Sequence, residues 1–218
     1  MWKRVYVWEP VVRVQHWVHV VAMVVLAITG VYIAHPFIDL PAGQAVQFNL
    51  TDSMRYIHFV ASWILGLGYV VRFYWFFVGN RYARWSDWLP VGEKRWKGLW
   101  KQFRYYIFLE RERPRWTGVN PVSGLTYLFL GVLLFLTGFT GIALYAEAFS
   151  IGFWNFTFGW VAPLFGSQNL RLIHHALLYL YVIFLMIHLY MMVLGDFEEE
   201  NAPMTSIVSG WKYEPIDE

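Results

Sequence analysis

The chain has 218 residues, of which 58% are hydrophobic, 21% aromatic and 15% charged, and it contains no cysteine. This composition excludes an ordinary soluble domain and points to a single integral membrane domain, residues 1–218. The missing cysteines exclude disulfides, cysteine-ligated iron–sulfur clusters and CxxCH attachment of haem, and a net charge of +2 gives no reason to invoke nucleic acid.

Residues 1–15 read as an interfacial arm, with Trp2, Tyr6 and Trp8 at the headgroup level beside Lys3, Arg4 and Arg13. The first apolar span covers roughly residues 17–34. Basic residues before it resemble a signal peptide, but an internal histidine and three further spans argue for a retained helix. Residues 35–53, with prolines, a glycine and two acids, read as an external loop, and the second span follows at 56–78. Residues 79–121 alternate aromatic and cationic side chains, which predicts a basic cytoplasmic loop with a helix lying along the membrane surface. The third span is expected at 124–145 and the fourth at 172–194, each long enough for a hydrocarbon core that takes about 20 helical residues. Between them, residues 146–171 are interrupted by Gly152, Gly159, Pro163 and Gly166 and so read as an external loop, too apolar merely to cross water, that lies in the outer interface or covers a partner's surface. Residues 195–218 are polar and acidic and read as an exposed cytoplasmic tail.

Lysine and arginine concentrate in the N-terminal arm and in residues 79–121, while the other two connections contribute only Arg55 and Arg171. Positively charged loops tend to stay cytoplasmic, so both termini are expected there. The expectation is an all-α integral membrane protein, a four-helix bundle.

That topology sorts the seven histidines by depth. His174 and His188 stand fourteen residues apart in the fourth span, which puts both rings on one side of a helix about 21 Å apart along its axis. His58, near the outer start of the second span, matches the depth of His174; His16, at the inner start of the first, matches His188. Polar rings are costly in hydrocarbon and mark function. Facing imidazoles in a bundle suit haem iron held from both sides, with one-electron transfer as the chemistry. His175 points about 100° away from His174 and is the poorer partner for His188. His19, one turn beyond His16, can exchange roles with it, or contacts a haem propionate or packs; His35 reads as a structural or loop residue. Gly30, Gly66, Gly68, Gly131, Gly138 and Gly141 allow close approach of a macrocycle or of another helix.

Several segments carry a family resemblance: EPVVRVQHW, MRYIHFVAS, RFYWFFVGNRYARW, FRYYIFLERERPRWTGVNP, LTGFTGIALYAE, GWVAPLFGSQNLRLIHH, IHLYMM and MTSIVSGWK. With these, nearly the whole chain resembles the b-type cytochrome subunits of membrane-bound nickel–iron hydrogenases and, more distantly, those of formate dehydrogenases. The resemblance implies a bacterial inner-membrane, multi-pass subunit with two b haems, ligated by His16, His58, His174 and His188. It implies a periplasmic partner made of an iron–sulfur small subunit and a nickel–iron large subunit, and a membrane quinone as acceptor. Asn120 and Tyr106 match residues that relatives use near the quinone. A formate dehydrogenase or another periplasmic oxidoreductase is the alternative partner, and a cofactor-free membrane anchor the alternative of a different class.

Overall fold

The computed structural model describes residues 2–38, 50–112, 114–199 and 203–215. Its elements in chain order are β1 (Trp2–Tyr6), α1 (Pro10–Ala34), α2 (Leu50–Val78), α3 (Trp85–Trp88), α4 (Glu93–Tyr106), α5 (Pro121–Phe149), α6 (Gly152–Phe158), α7 (Val161–Phe165), α8 (Ser167–Glu199), α9 (Pro203–Ser209) and β2 (Trp211–Pro215). Helices α1, α2, α5 and α8 are long and apolar enough to cross a membrane, so each of the four expected spans has its candidate helix. They leave large apolar side chains on the outside, as a lipid-facing surface must: Val70 and Phe135 are each 65% exposed, Leu172 and Met186 each 67%.

All four helices extend beyond the apolar stretches that announced them, because hydropathy marks the hydrocarbon-facing part whereas caps decide where a helix ends. Helices α1 and α5 both begin with proline, whose fixed φ and missing N–H suit the first helical position. Before α5, the Asn120 Oδ1 accepts the backbone N–H of Ser123 at 2.8 Å, a side-chain N-cap. Residues 39–49 of the first external connection lie outside the described residues, and α2 begins at Leu50.

Two compact units make up the chain. The first comprises residues 1–14, 72–136 and 180–218, and it corrects two expectations. The protein is not purely helical, and the segment after residue 195 is not simply an exposed tail: β2 pairs antiparallel with β1 in a register from Trp2 opposite Pro215 to Tyr6 opposite Trp211. The N–H groups of Val7 and Trp8 donate to the Gly210 carbonyl at 2.8 and 3.1 Å, and the Trp8 indole N–H donates to Ser206 Oγ at 3.1 Å, with Ser206 fully buried. Gly210 has φ 88°, and a Cβ there would lie 2.8 Å from the Trp8 carbonyl oxygen, so glycine is required.

In the same unit the Glu9 carboxylate accepts the Trp75 indole N–H and the Asn80 backbone N–H, both at 2.8 Å. The Asn80 amide donates to the Val7 carbonyl at 2.9 Å, while its oxygen accepts the N–H groups of Tyr82 and Ala83. The turn after α2 is thereby tied to the start of α1. Arg95 of α4 pairs with Asp87 of α3 at 3.0 Å and also donates to the Val119 carbonyl at 3.0 Å. Burial pushes the Asp87 carboxyl up from the usual carboxylate range, against the opposing pull of Arg95; burial likewise lowers Arg95. Desolvation therefore offsets the attraction, and the pair orders these segments more than it stabilises them.

The opposite side of α4 leaves Trp96 and Trp100 exposed among Lys94, Lys97 and Lys101. Within residues 79–121, the described residues form the short α3 and the longer α4.

The second unit comprises residues 15–71 and 137–179. Its apolar core is Ala143, Val161, Ala162 and Leu170, packed by Phe139, Leu144 and Phe158. The aromatic connection expected as a loop forms α6 and α7, with Trp154 of α6 against Trp63 at 5.7 Å between ring centres. Small residues let these short helices sit close to α5, which accounts for the apolar character of a segment outside the spans.

Candidate functional site

The second unit brings His58 of α2 and His174 of α8 together, with ring centres 6.4 Å apart and planes at 64°. Each ring is braced by a Thr-Gly step on a different helix. Thr29 Oγ1 lies 2.8 Å from His58 Nδ1, and Thr140 Oγ1 lies 2.9 Å from His174 Nδ1. Each threonine hydroxyl also donates within its own helix, Thr29 to the Val25 carbonyl at 2.7 Å and Thr140 to the Thr137 carbonyl at 3.1 Å. A hydroxyl whose proton is so used offers its oxygen to Nδ1–H, and a ring in that tautomer carries its lone pair on Nε2.

The neighbouring glycine keeps each ring in place. A Cβ at Gly30 would lie 3.3 Å from His58 Cε1, and one at Gly141 would lie 3.1 Å from His174 Cε1. Either added carbon would press on the ring it backs. Two metal–imidazole bonds of about 2 Å, with about 1 Å from each nitrogen to its ring centre, span about 6 Å. The observed separation therefore fits one iron held by both Nε2 atoms.

Replacing Thr140 by valine removes the hydroxyl that lies 2.9 Å from His174 Nδ1 while keeping the side-chain shape. Such a change is expected to weaken haem retention about 10–100-fold, with Thr140→Ser retaining it. Haem bound per chain at limiting haem measures this; full retention in Thr140→Val would show that the hydroxyl does not support the ligand.

The remaining histidines have different surroundings. His175 is adjacent to His174, ring centres 6.3 Å apart, but receives no threonine brace among the described residues. His19 Nδ1 is 2.8 Å from Gln15 Nε2, and its ring packs so closely on Gly68 that a Cβ there would lie 2.4 Å from Nε2. That environment is one of packing. His16, on the same helix, meets Trp17 edge-to-face at 5.2 Å. His35 follows the end of α1, its N–H donating to the Val31 carbonyl at 2.9 Å.

His188 belongs to the first unit, where it stacks on Phe184 at 5.5 Å and 16° and meets Tyr127 at 6.4 Å. His16 belongs to the second unit. Also in the first unit, the Asn120 amide donates to the Tyr106 hydroxyl at 3.2 Å, so these two residues predicted from the sequence do meet. The Asn120 oxygen meanwhile caps α5, so one side chain contacts both Tyr106 and the helix start.

The sequence does not single these threonines out, because the dipeptide Thr-Gly occurs at 117–118 and 137–138 as well as at 29–30 and 140–141.

Four helices long and apolar enough to cross a membrane, and a facing histidine pair between two of them, define a helical membrane protein with two imidazoles brought together inside its bundle. The chain matches the prokaryotic cytochrome b561 family over residues 7–210 and belongs to it. It is 39% identical over 212 residues to the "Probable Ni/Fe-hydrogenase B-type cytochrome subunit" of Azotobacter chroococcum mcd 1, covering 95% of this chain and 88% of that one. Identity is 35% over 217 residues to the protein of the same name from Cupriavidus necator, covering 96% and 87%. It is 31% over 216 residues to the "Probable Ni/Fe-hydrogenase 1 B-type cytochrome subunit" of Escherichia coli, covering 95% and 90%. Membership in a b-type cytochrome family implies haem b, a multi-pass membrane location and a part in electron transport.

Proposed function

We propose that this chain is the dihaem membrane subunit of a hydrogen:quinone oxidoreductase of the bacterial inner membrane, with both termini cytoplasmic. In this reading it anchors the iron–sulfur small subunit and the nickel–iron large subunit at the periplasmic face. His58 and His174 hold the outer haem, and His16 and His188 the inner one. Iron held by two imidazoles has no open position and supplies one-electron transfer, so electrons pass from the hydrogenase partner across the membrane to quinone.

The observation that carries this reading is the His58–His174 pair with its two Thr-Gly braces. The names of the relatives support a Ni/Fe-hydrogenase as the partner. Tyr106, held by Asn120, presents a hydroxyl for a quinone oxygen near the start of α5. The exposed tryptophans and lysines of α4 suit the cytoplasmic lipid surface, where amphipathic aromatic rings and cations gather.

Purification of the intact complex tests the partner. Hydrogen is expected to reduce the b haems and a quinone analogue to reoxidise them, with the protons drawn from the cytoplasmic side. Reduction by formate but not hydrogen would instead assign a formate dehydrogenase partner. Proton uptake from the external side would contradict the inner quinone site.

A further inference from the structure

Arg72 occupies the last turns of α2, inside a span, and is half-buried. Its guanidinium lies over the Trp88 ring at 4.3 Å and reaches the Ala83 carbonyl only at 3.3 and 3.4 Å, long for N–H···O bonds. Guanidinium keeps its charge and carries five N–H donors in a fork that matches a carboxylate. Among the described residues, no carboxylate pairs with it. The nearby acids are engaged elsewhere: Glu9 accepts from Trp75 and Asn80, and Asp87 pairs with Arg95. A cation held in a span without an anion is costly, and intramembrane charges normally have partners.

Its surroundings point to the missing partner. Trp88 contacts Tyr127 at 5.3 Å, and Tyr127 contacts His188 at 6.4 Å, so the cation borders an aromatic wall that leads to the inner histidine. All four residues belong to the first unit. Along the sequence, Arg72 follows His58 by the same fourteen residues by which His188 follows His174.

We propose that Arg72 binds a propionate carboxylate of the haem ligated by His188, as a charge-assisted hydrogen bond that anchors the haem edge and raises its reduction potential. This rests on the dihaem reading above. The same fork could take the phosphate of an anionic lipid, and its position beside the Trp88–Tyr127–His188 wall favours the propionate.

Potentiometric titration of the full purified chain, followed by its visible spectrum, tests this. Wild type must first show two one-electron b-haem components; a single component overturns the dihaem reading itself. With two present, Arg72→Gln is expected to lower one component by about tenfold in its ferrous-to-ferric ratio, about 59 mV for one electron. Arg72→Lys should retain most of the potential, and the component lost in His188→Ala should be the one that moves. Loading both chains with haem dimethyl ester, which has no propionate charge, should abolish the difference between wild type and Arg72→Gln. An unmoved potential in Arg72→Gln overturns the proposal, as does a difference that persists with the ester, which would assign the arginine to lipid or packing. If Arg72→Gln does not load haem, Arg72→Lys and the ester in wild type decide. An inner component that the ester shifts no more than the outer one also overturns it.

Discussion

Replacing His174 by alanine is expected to remove one of the two haems, the outer one, and to halve the b-type absorbance per chain. The structure gives three reasons. His174 faces His58 at 6.4 Å, so its loss leaves iron with one protein ligand. Thr140, which braces that ring, loses its partner inside the unit. His175 offers no substitute, because one residue along a helix turns it about 100° away. The control is His175→Ala, which should keep both haems. Pyridine haemochrome quantification of the purified chains reads both results, and two haems in His174→Ala would refute the ligand pair. His58→Ala should behave as His174→Ala does, since the two rings act on one iron.

The second large effect concerns the other end of α8. His188→Ala should remove the inner haem and keep the outer one, giving a complex that still passes electrons from hydrogen to an added dye but no longer to quinone. His188 stands on the same uninterrupted helix as His174, fourteen residues on, and its ring lies flat on Phe184 beside Tyr127. That setting packs the ring against two aromatic neighbours. Parallel assays of dye and quinone reduction, with the haem count, measure the prediction. Retention of both haems, or equal loss of both activities, would show that His188 is not the inner ligand.

The meeting of His58 with His174 was legible in the sequence because imidazole in hydrocarbon has a cost that calls for a reason, and the two lie at matching places along their spans. The braces were not. A threonine that donates to its own helix carbonyl, as Thr29 does to Val25, satisfies itself locally and leaves no mark in composition or hydropathy. Asn120 was legible as a helix start and as a candidate quinone residue, and only coordinates separate the carbonyl that caps Ser123 from the amide that holds Tyr106. The chain ends were misread for another reason. Residues Trp211–Pro215 look like polar tail, since a five-residue strand has too little pattern of its own. Their partner, Trp2–Tyr6, lies at the opposite end of the chain, and pairing at that separation is invisible to any local window. The aromatic stretch after α5 was recognised as too apolar for a simple loop, but its glycines concealed the two short helices, α6 and α7.

The central claim is that this chain holds two haems, each between a pair of histidines. A combined haem count and carbon monoxide difference spectrum on the reduced, purified chain tests it most directly. The predicted result is two haem b per chain and no carbon monoxide adduct, because two imidazoles on each iron would leave carbon monoxide no place to bind. One haem per chain, or a carbon monoxide adduct on the native protein, would contradict it.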